Sequence, residues 1–299
     1  MGTITTITGS MANMPEELIT DIFSKVQGHS SLAKLATQIP VPFVGTEEMV
    51  FSMDDEVSIV GEGENKPPHD AKFESVVIRP VKFVYQHRLT DEFISMAEEQ
   101  QLPYLQAFTD GFAKKIARGL DIAAMHGINP KDGADASFKS TNSFDGLVSN
   151  LVTYAAATVD VNIEDGVALV NADNGSVTGL ALSTAAGTAL SKIKVNGVAQ
   201  YPEFRFGQNP NAFYGMGSDV NSTVSVTGTA TGAVTDQIIL GDFQNAFKWG
   251  YAKNIPLEVI QYGDPDGLGD LKRKNQIVLR TEAYIGWGIL DADSFAIVR

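Results

Sequence analysis

A chain of 299 residues that is 43% hydrophobic can bury about three quarters of the surface its unfolded form exposes, so it folds without covalent staples. It has no cysteine, which excludes disulfides, thiolate metal sites and cysteine nucleophiles and suits a reducing compartment. With 36 acidic against 22 basic side chains the formal charge is −14, which opposes a direct grip on nucleic acid, because phosphate contacts need Lys and Arg.

The N-terminal residues MGTITTITGSMANMPEEL carry no basic region and no apolar run, so no secretory signal is expected. No stretch approaches 18 apolar residues either, and the expectation is a soluble protein that stays in the cytoplasm where it is made. Residues 15 to 40 show short helical signals interrupted by Gly28 and by Ser30 and Ser31, and ended by Pro40 and Pro42. This reads as an arm lying over something else. Residues 43 to 60 and 73 to 89 read as strands around a polar tip, GEGENKPPHD, at 61 to 70. The pair forms a long hairpin, which is marginal in water and needs a neighbour. Pro80 makes its second strand an edge or bulged element.

Asp91 to Gln101 reads as a short helix with acid at its positive end. The next segment is a long amphipathic helix opened by Pro103 in its first turn and closed by Gly127, with Leu105, Phe108, Phe112, Ile116, Leu120 and Ala123 along one stripe. Asp110 with Lys114, and Arg118 with Asp121, are spaced to pair on its outer surface. After a loop, residues 144 to 158 read as a helix, 167 to 170 as a short buried strand, and 179 to 193 as a helix capped by Ser183 or Thr184. The Gly-, Ser- and Thr-rich run to residue 236 reads as short strands and loops, ordered rather than disordered because it holds Phe204, Phe206, Phe213 and Tyr214. Residues 237 to 299 return to dense strand signals, and no internal repeat is visible. The class is α+β.

Arm, hairpin with Lys66-Pro67 near its tip, a long helix ending IARGLDIAAMHG, and the closing run from GDFQNAFKWGY to SFAIV together resemble the major capsid proteins of tailed bacteriophages with the Hong Kong 97-type fold. The likeness runs from about residue 15 to the end and rests on order and spacing, not on a single motif. It implies an N-terminal arm at 1–42, an extended hairpin loop at 43–89, a peripheral domain with spine helix at 90–143 and 254–299, and an axial domain at 144–253. It implies no enzymatic activity and no cofactor. The implied partners are further copies of the chain, as pentamers and hexamers of an icosahedral shell around double-stranded DNA, together with a scaffolding protein, a portal and decoration proteins; the implied place is the virion. Relatives often carry a long helical scaffolding segment before the arm, whereas about 14 residues precede it here, which implies a separate scaffolding protein or a processed chain. Two rivals are an encapsulin-like nanocompartment shell and an unrelated carboxylate-using hydrolase.

The resemblance also implies one chemical constellation, an inter-subunit isopeptide bond of the family's namesake, matched here by Lys66, Asn275 and Glu282. Seven strand residues separate Asn275 from Glu282, roughly 23 Å, so the three would have to come from different subunits. A solvated lysine in a polar turn is the plainer reading of Lys66. Asp264, Asp266 and Asp270 in GDPDGLGD are spaced somewhat like a calcium loop, but the terminal bidentate Glu is missing and a tight turn is the better reading. His29, His69, His87 and His126 are scattered without paired spacing, which favours ordinary surface or core roles over zinc. GEGEN at 61 to 65 lacks the Lys-Ser/Thr and the helix of a phosphate loop.

Overall fold

The computed structural model describes residues 29–53, 57–68, 71–96, 98–226, 234–253 and 257–299. Most of the arm expected at 15 to 40 lies outside the described residues. Its end forms helix α1 (Ser31–Leu35), where the Ser30 hydroxyl accepts from the Ala33 N–H and so caps the first turn. Strands β1 (Thr46–Met53) and β2 (Ala71–Ile78) pair antiparallel as a separate two-stranded sheet. The second strand of the expected hairpin does not run on to residue 89. It stops at Ile78, and after Arg79 β3 (Pro80–Thr90) joins another sheet, with Pro80 as its first residue, where the missing N–H breaks no ladder.

A short helix, α2 (Glu92–Ser95), leads into α3 (Glu98–His126), about 43 Å long at 1.5 Å per residue. Pro103 does not open α3 but lies inside it; the helix-favouring run Glu98–Gln101 starts the helix a turn earlier and Pro103 stays on the exposed side. The expected stripe holds: Phe112, Ile116, Leu120 and Ala123 are buried, and Leu105 and Phe108 pack partly against the same core. Gly127 closes the helix at φ +61, with its N–H on the Ala123 carbonyl, and a Cβ there would meet Lys139 Cα at 2.6 Å.

Three local readings change. Only α4 (Phe144–Leu147) of the expected helix at 144 to 158 is helical; β4 (Leu151–Val152) then pairs parallel with the C-terminal strand, and Asn150 Nδ2 donates to the Asp293 and Phe295 carbonyls. The expected strand at 167 to 170 is part of α5 (Val159–Ala172), because Val159, Ile163, Val167 and Val170 share one helical face and a four-residue apolar run does not decide between the two periods. The expected helix at 179 to 193 is divided by its cap. Residues before Ser183 form β5 (Gly179–Leu182), and α6 (Thr184–Lys192) starts after Ser183, whose hydroxyl accepts from the Ala186 N–H.

The remaining elements are β6 (Lys194–Val195), β7 (Val198–Ala199), a 3-10 turn at Pro202–Gly207, β8 (Ala212–Phe213), β9 (Met216–Val220), β10 (Ile238–Gly241), β11 (Phe247–Lys253), β12 (Leu257–Ile260), β13 (Gln276–Ile289) and β14 (Phe295–Val298). Strands β6 and β7 pair with each other alone, and β8 to β14 complete two main sheets. In the four-stranded sheet the long β13 pairs along one side with β3 and along the other with β11 and β12. The six-stranded sheet runs β4-β14-β10-β5-β9-β8, and its central β5, β10 and β14 are buried throughout. Strand β11 thus lies in the sheet with β13, and β14 in the other, so the chain crosses between sheets at 241–247 and again at 289–295.

One face of α3 packs on the four-stranded sheet around Trp249 and Trp287, while α5 covers β10 and β14, with Gly166 thin enough to lie on Leu240. Phe144 meets Phe243, Phe247 and Phe295 at ring centroid distances of 6.0, 5.5 and 4.9 Å, and this aromatic group joins the two sheets. Among the described residues no helix is long and apolar enough to cross a membrane.

Candidate assembly interface

The β1–β2 register puts Glu47, Met49 and Phe51 opposite Val77, Ser75 and Phe73, so these six share one face of the hairpin. Phe51 and Phe73 meet at a tilt with centroids 4.6 Å apart, yet Met49 is 77% and Phe73 72% exposed, and Phe51 and Val77 are about half exposed. Val57 and Ile59, beyond β1, are almost fully exposed, as is Val44 at the entry. A face of this kind costs roughly 25 cal/mol for each Å² of apolar surface left in water. It belongs against another surface.

The base of the hairpin is fixed. Ile78 is fully buried against the sequence Gly286-Trp287-Gly288: a Cβ on Gly288 would lie 2.7 Å from Ile78 Cγ1, and one on Gly286 3.0 Å from Val41. The arm is fixed in the same way. Ile39 N–H donates to the Trp249 carbonyl at 2.8 Å, Trp249 Nε1 donates to the Ala36 carbonyl, and Gly250 leaves room for the Ile39 carbonyl. Apolar segments therefore project from a rigid body at anchored roots.

Asp121, expected on the outer surface with Arg118, is instead fully buried. Its two oxygens accept from the Ser30 and Thr223 hydroxyls and from the Ser31 and Leu32 N–H groups, while Arg118 donates to the Ser222 hydroxyl. Burial pushes the Asp121 carboxyl up to about 6 against the pull of those four donors. Next to it Asp219 accepts from Lys34 Nζ at 2.8 Å, the Ser31 hydroxyl at 2.6 Å and Asn209 Nδ2 at 2.9 Å; burial opposes ionisation, but these partners outweigh it and hold the group below the usual carboxylate range. The two aspartates bind the end of the arm to α3 and β9.

The candidate crosslinking residues are not brought together within the chain. Lys66 is exposed on the 57–68 segment and shares an open groove with Val57, Ser58, Val60 and Pro67. Asn275 is exposed at φ +52 just before β13. Glu282, paired across the ladder with Val84, is engaged by Lys82 Nζ at 2.7 Å and by the Tyr284 hydroxyl at 3.1 Å. Burial would raise its carboxyl, but Lys82 and Tyr284 outweigh burial and hold it below the usual range.

In the 263–270 loop a guanidinium organises the carboxylates. Arg88 bridges both oxygens of Asp266, reaches Asp264 at 3.3 Å and the Gly269 carbonyl at 2.8 Å, and its hydrogen bonds hold the Asp266 carboxyl down to about 2. Asp270 caps the next turn by accepting from the Arg273 N–H. The donor cluster that sequence spacing missed is elsewhere: His126, Asp145 and Asp236 offer three donor atoms within 4.8 Å of one another. These positions are far apart in sequence, and no spacing rule joins them.

Comparison with known proteins agrees with this architecture. The family model described as the phage capsid family matches residues 12–299. A solved chain from Mycobacterium phage Ogopogo is 34% identical, with a TM-score of 0.77 over 91% of this chain and 92% of that one. One from Gordonia phage Cozz is 24% identical, with a TM-score of 0.70 over 92% of this chain and 86% of that one. The structure described as the capsid of a native GTA particle computed with C5 symmetry is 14% identical and shares the fold, with a TM-score of 0.62 over 100% of this chain and 94% of that one. No curated protein matches the sequence. A rigid two-sheet body with anchored, uncovered apolar projections, matched by the family model over nearly its whole length, identifies the chain as a member of the phage capsid family and a structural subunit of the capsid shell.

Proposed function

We propose that many copies of this chain assemble, as pentamers and hexamers, into an icosahedral shell that encloses double-stranded phage DNA, and that the chain acts as a structural subunit and not as an enzyme. The observation that carries this reading is the exposed apolar face of β1–β2 built from Met49, Phe51, Phe73 and Val77. Laid on a neighbour, each copy's hairpin and arm bury area that the chain alone leaves in water, and closed symmetry multiplies modest contacts into a stable shell. In this reading residues 1–42 are the arm and the hairpin is the extended loop. The four-stranded sheet with α3 is the peripheral region, and the six-stranded sheet with its helices is the axial one.

A scaffolding protein, a portal and decoration proteins are the proposed partners, and assembly takes place in the bacterial host cytoplasm. The shell is held by non-covalent contacts, a reading supported by the Lys82 partnership of Glu282. The charge of −14 supports an inner wall that repels packaged DNA, so a basic interior in an assembled shell would contradict that part. Expression of the chain alone and with its neighbouring genes, followed by negative-stain electron microscopy, tests the whole. Rings or closed shells are expected; a monodisperse monomer under every condition would remove the reading. A denaturing gel of the particles should show one band, and a ladder of covalent oligomers would return Lys66 and Asn275 to the chemistry.

A further inference from the structure

We propose that His126, Asp145 and Asp236 form a site for one divalent first-row transition-metal cation of the Zn²⁺ class, placed where the end of α3 meets the ends of the central strands of the six-stranded sheet. The three residues come from separate elements: His126 ends α3, Asp145 lies in the first turn of α4, and Asp236 stands just before β10. His126 Nε2 lies 2.9 Å from the Thr223 carbonyl, which can only accept, so Nε2 carries the hydrogen. In the neutral ring Nδ1 is then a bare lone pair. It faces Asp145 Oδ2 at 3.1 Å and Asp236 Oδ2 at 3.6 Å.

Two carboxylate oxygens and an imine lone pair within 4.8 Å of one another repel unless protons or a metal cation lie between them. A proton on Nδ1 serves Asp145 but leaves Asp236 Oδ2, which lies beyond hydrogen-bond reach and has no hydrogen-bond partner among the described residues, although its residue is only 2% exposed. A cation serves all three. At metal–ligand distances of about 2.0–2.1 Å, tetrahedral donors stand about 3.3 Å apart, between the two separations measured from His126 Nδ1.

The surroundings complete the arrangement. Arg299 takes the other oxygens, with Nη2 on Asp145 Oδ1 at 3.2 Å and Nε near Asp236 Oδ1 at 3.3 Å, so the Oδ2 pair stays turned toward His126. The imidazole N–H on a backbone carbonyl is the outer-shell contact that fixes a ligating histidine. Asp145 is partly exposed, which gives the ion an entry side and leaves the fourth position to water. A cation there ties the end of the long helix to the loop before β10.

Titration of the purified full chain with Co²⁺ tests the proposal. The expected result is one Co²⁺ per chain with the visible absorption of a low-coordinate N/O site, displaced by Zn²⁺, and a Zn²⁺-dependent rise in thermal midpoint that EDTA reverses. Asp236→Asn should weaken uptake by at least about tenfold. Asp145→Asn, at the more exposed ligand, should do the same and serves if the first variant does not fold. Absence of saturable uptake by the unmodified chain, uptake undiminished in a folded variant, or a His126 ring that carries hydrogens on both nitrogens and is unmoved by Zn²⁺ would each overturn it.

Discussion

Asp121 illustrates what a helix pattern can and cannot disclose about a single residue. Its spacing from Arg118 fits an exposed ion pair, yet the arm covers that part of α3 and converts the aspartate into an acceptor for four donors. Nothing on α3 itself signals the cover. The signal lies ninety residues earlier, in Ser30 and Ser31, and only the fold connects the two. Because burial raises the Asp121 carboxyl to about 6, the folded chain holds a proton there that the unfolded chain releases near its ordinary value. Its stabilising contribution is therefore fully present below about pH 4 and is lost as pH rises through about 6, an effect on the order of 3 kcal/mol. Asp121→Asn should flatten this slope of thermal midpoint against pH. At pH 7 it should cost roughly 2 kcal/mol, because its Nδ2 donates and cannot accept from the two donors that one carboxylate oxygen serves. An unchanged slope would show that the proton is held elsewhere. Gly250 is a second residue-scale test: a Cβ would lie 1.9 Å from the Ile39 carbonyl, so Gly250→Ala should detach residues 36–41, seen as protease cleavage of the arm.

At the scale of elements, strength of signal decided what was legible. The buried stripe of α3 and the strand runs after residue 237 stand as read, because long periodic segments leave little choice. Short apolar runs such as VALV at 167 to 170 do not separate helix from strand, and a Ser inside an apolar run looks like helix until its capping role divides strand from helix at residue 183. The hairpin was legible as an element in need of a neighbour, although its second strand ends at Ile78 and the continuation read as part of it, β3, pairs with β13 instead. Replacing Phe51 and Phe73 with Ser should change the stability of the isolated subunit by less than about 1 kcal/mol, since both are exposed there. Assembly should fail, because apolar anchors at an interface are each worth about 2 kcal/mol or more. Sedimentation velocity would check this; particles forming at unchanged yield would place the contact on another surface.

Across the whole molecule, the order of arm, hairpin, long helix and closing strands was enough to point to the capsid fold, and the family match over residues 12–299 agrees. The routing was not legible. Strand β14 returns to the six-stranded sheet and β11 departs from it, because sheet membership is set by long-range pairing that no local pattern encodes. The same limit hid the group of His126, Asp145 and Asp236, which exists only once three distant segments meet. The account of the molecule is that a self-sufficient two-sheet body carries a hairpin and arm whose apolar faces are completed by neighbouring copies. Hydrogen–deuterium exchange on unassembled subunits and on closed particles tests this most directly. The account predicts that amides in 43–53 and 71–78, each strand of which has an open edge beside its partner, gain strong protection on assembly while β5, β10 and β14 stay equally protected in both states. Particles that form with no gain of protection in the hairpin would contradict it.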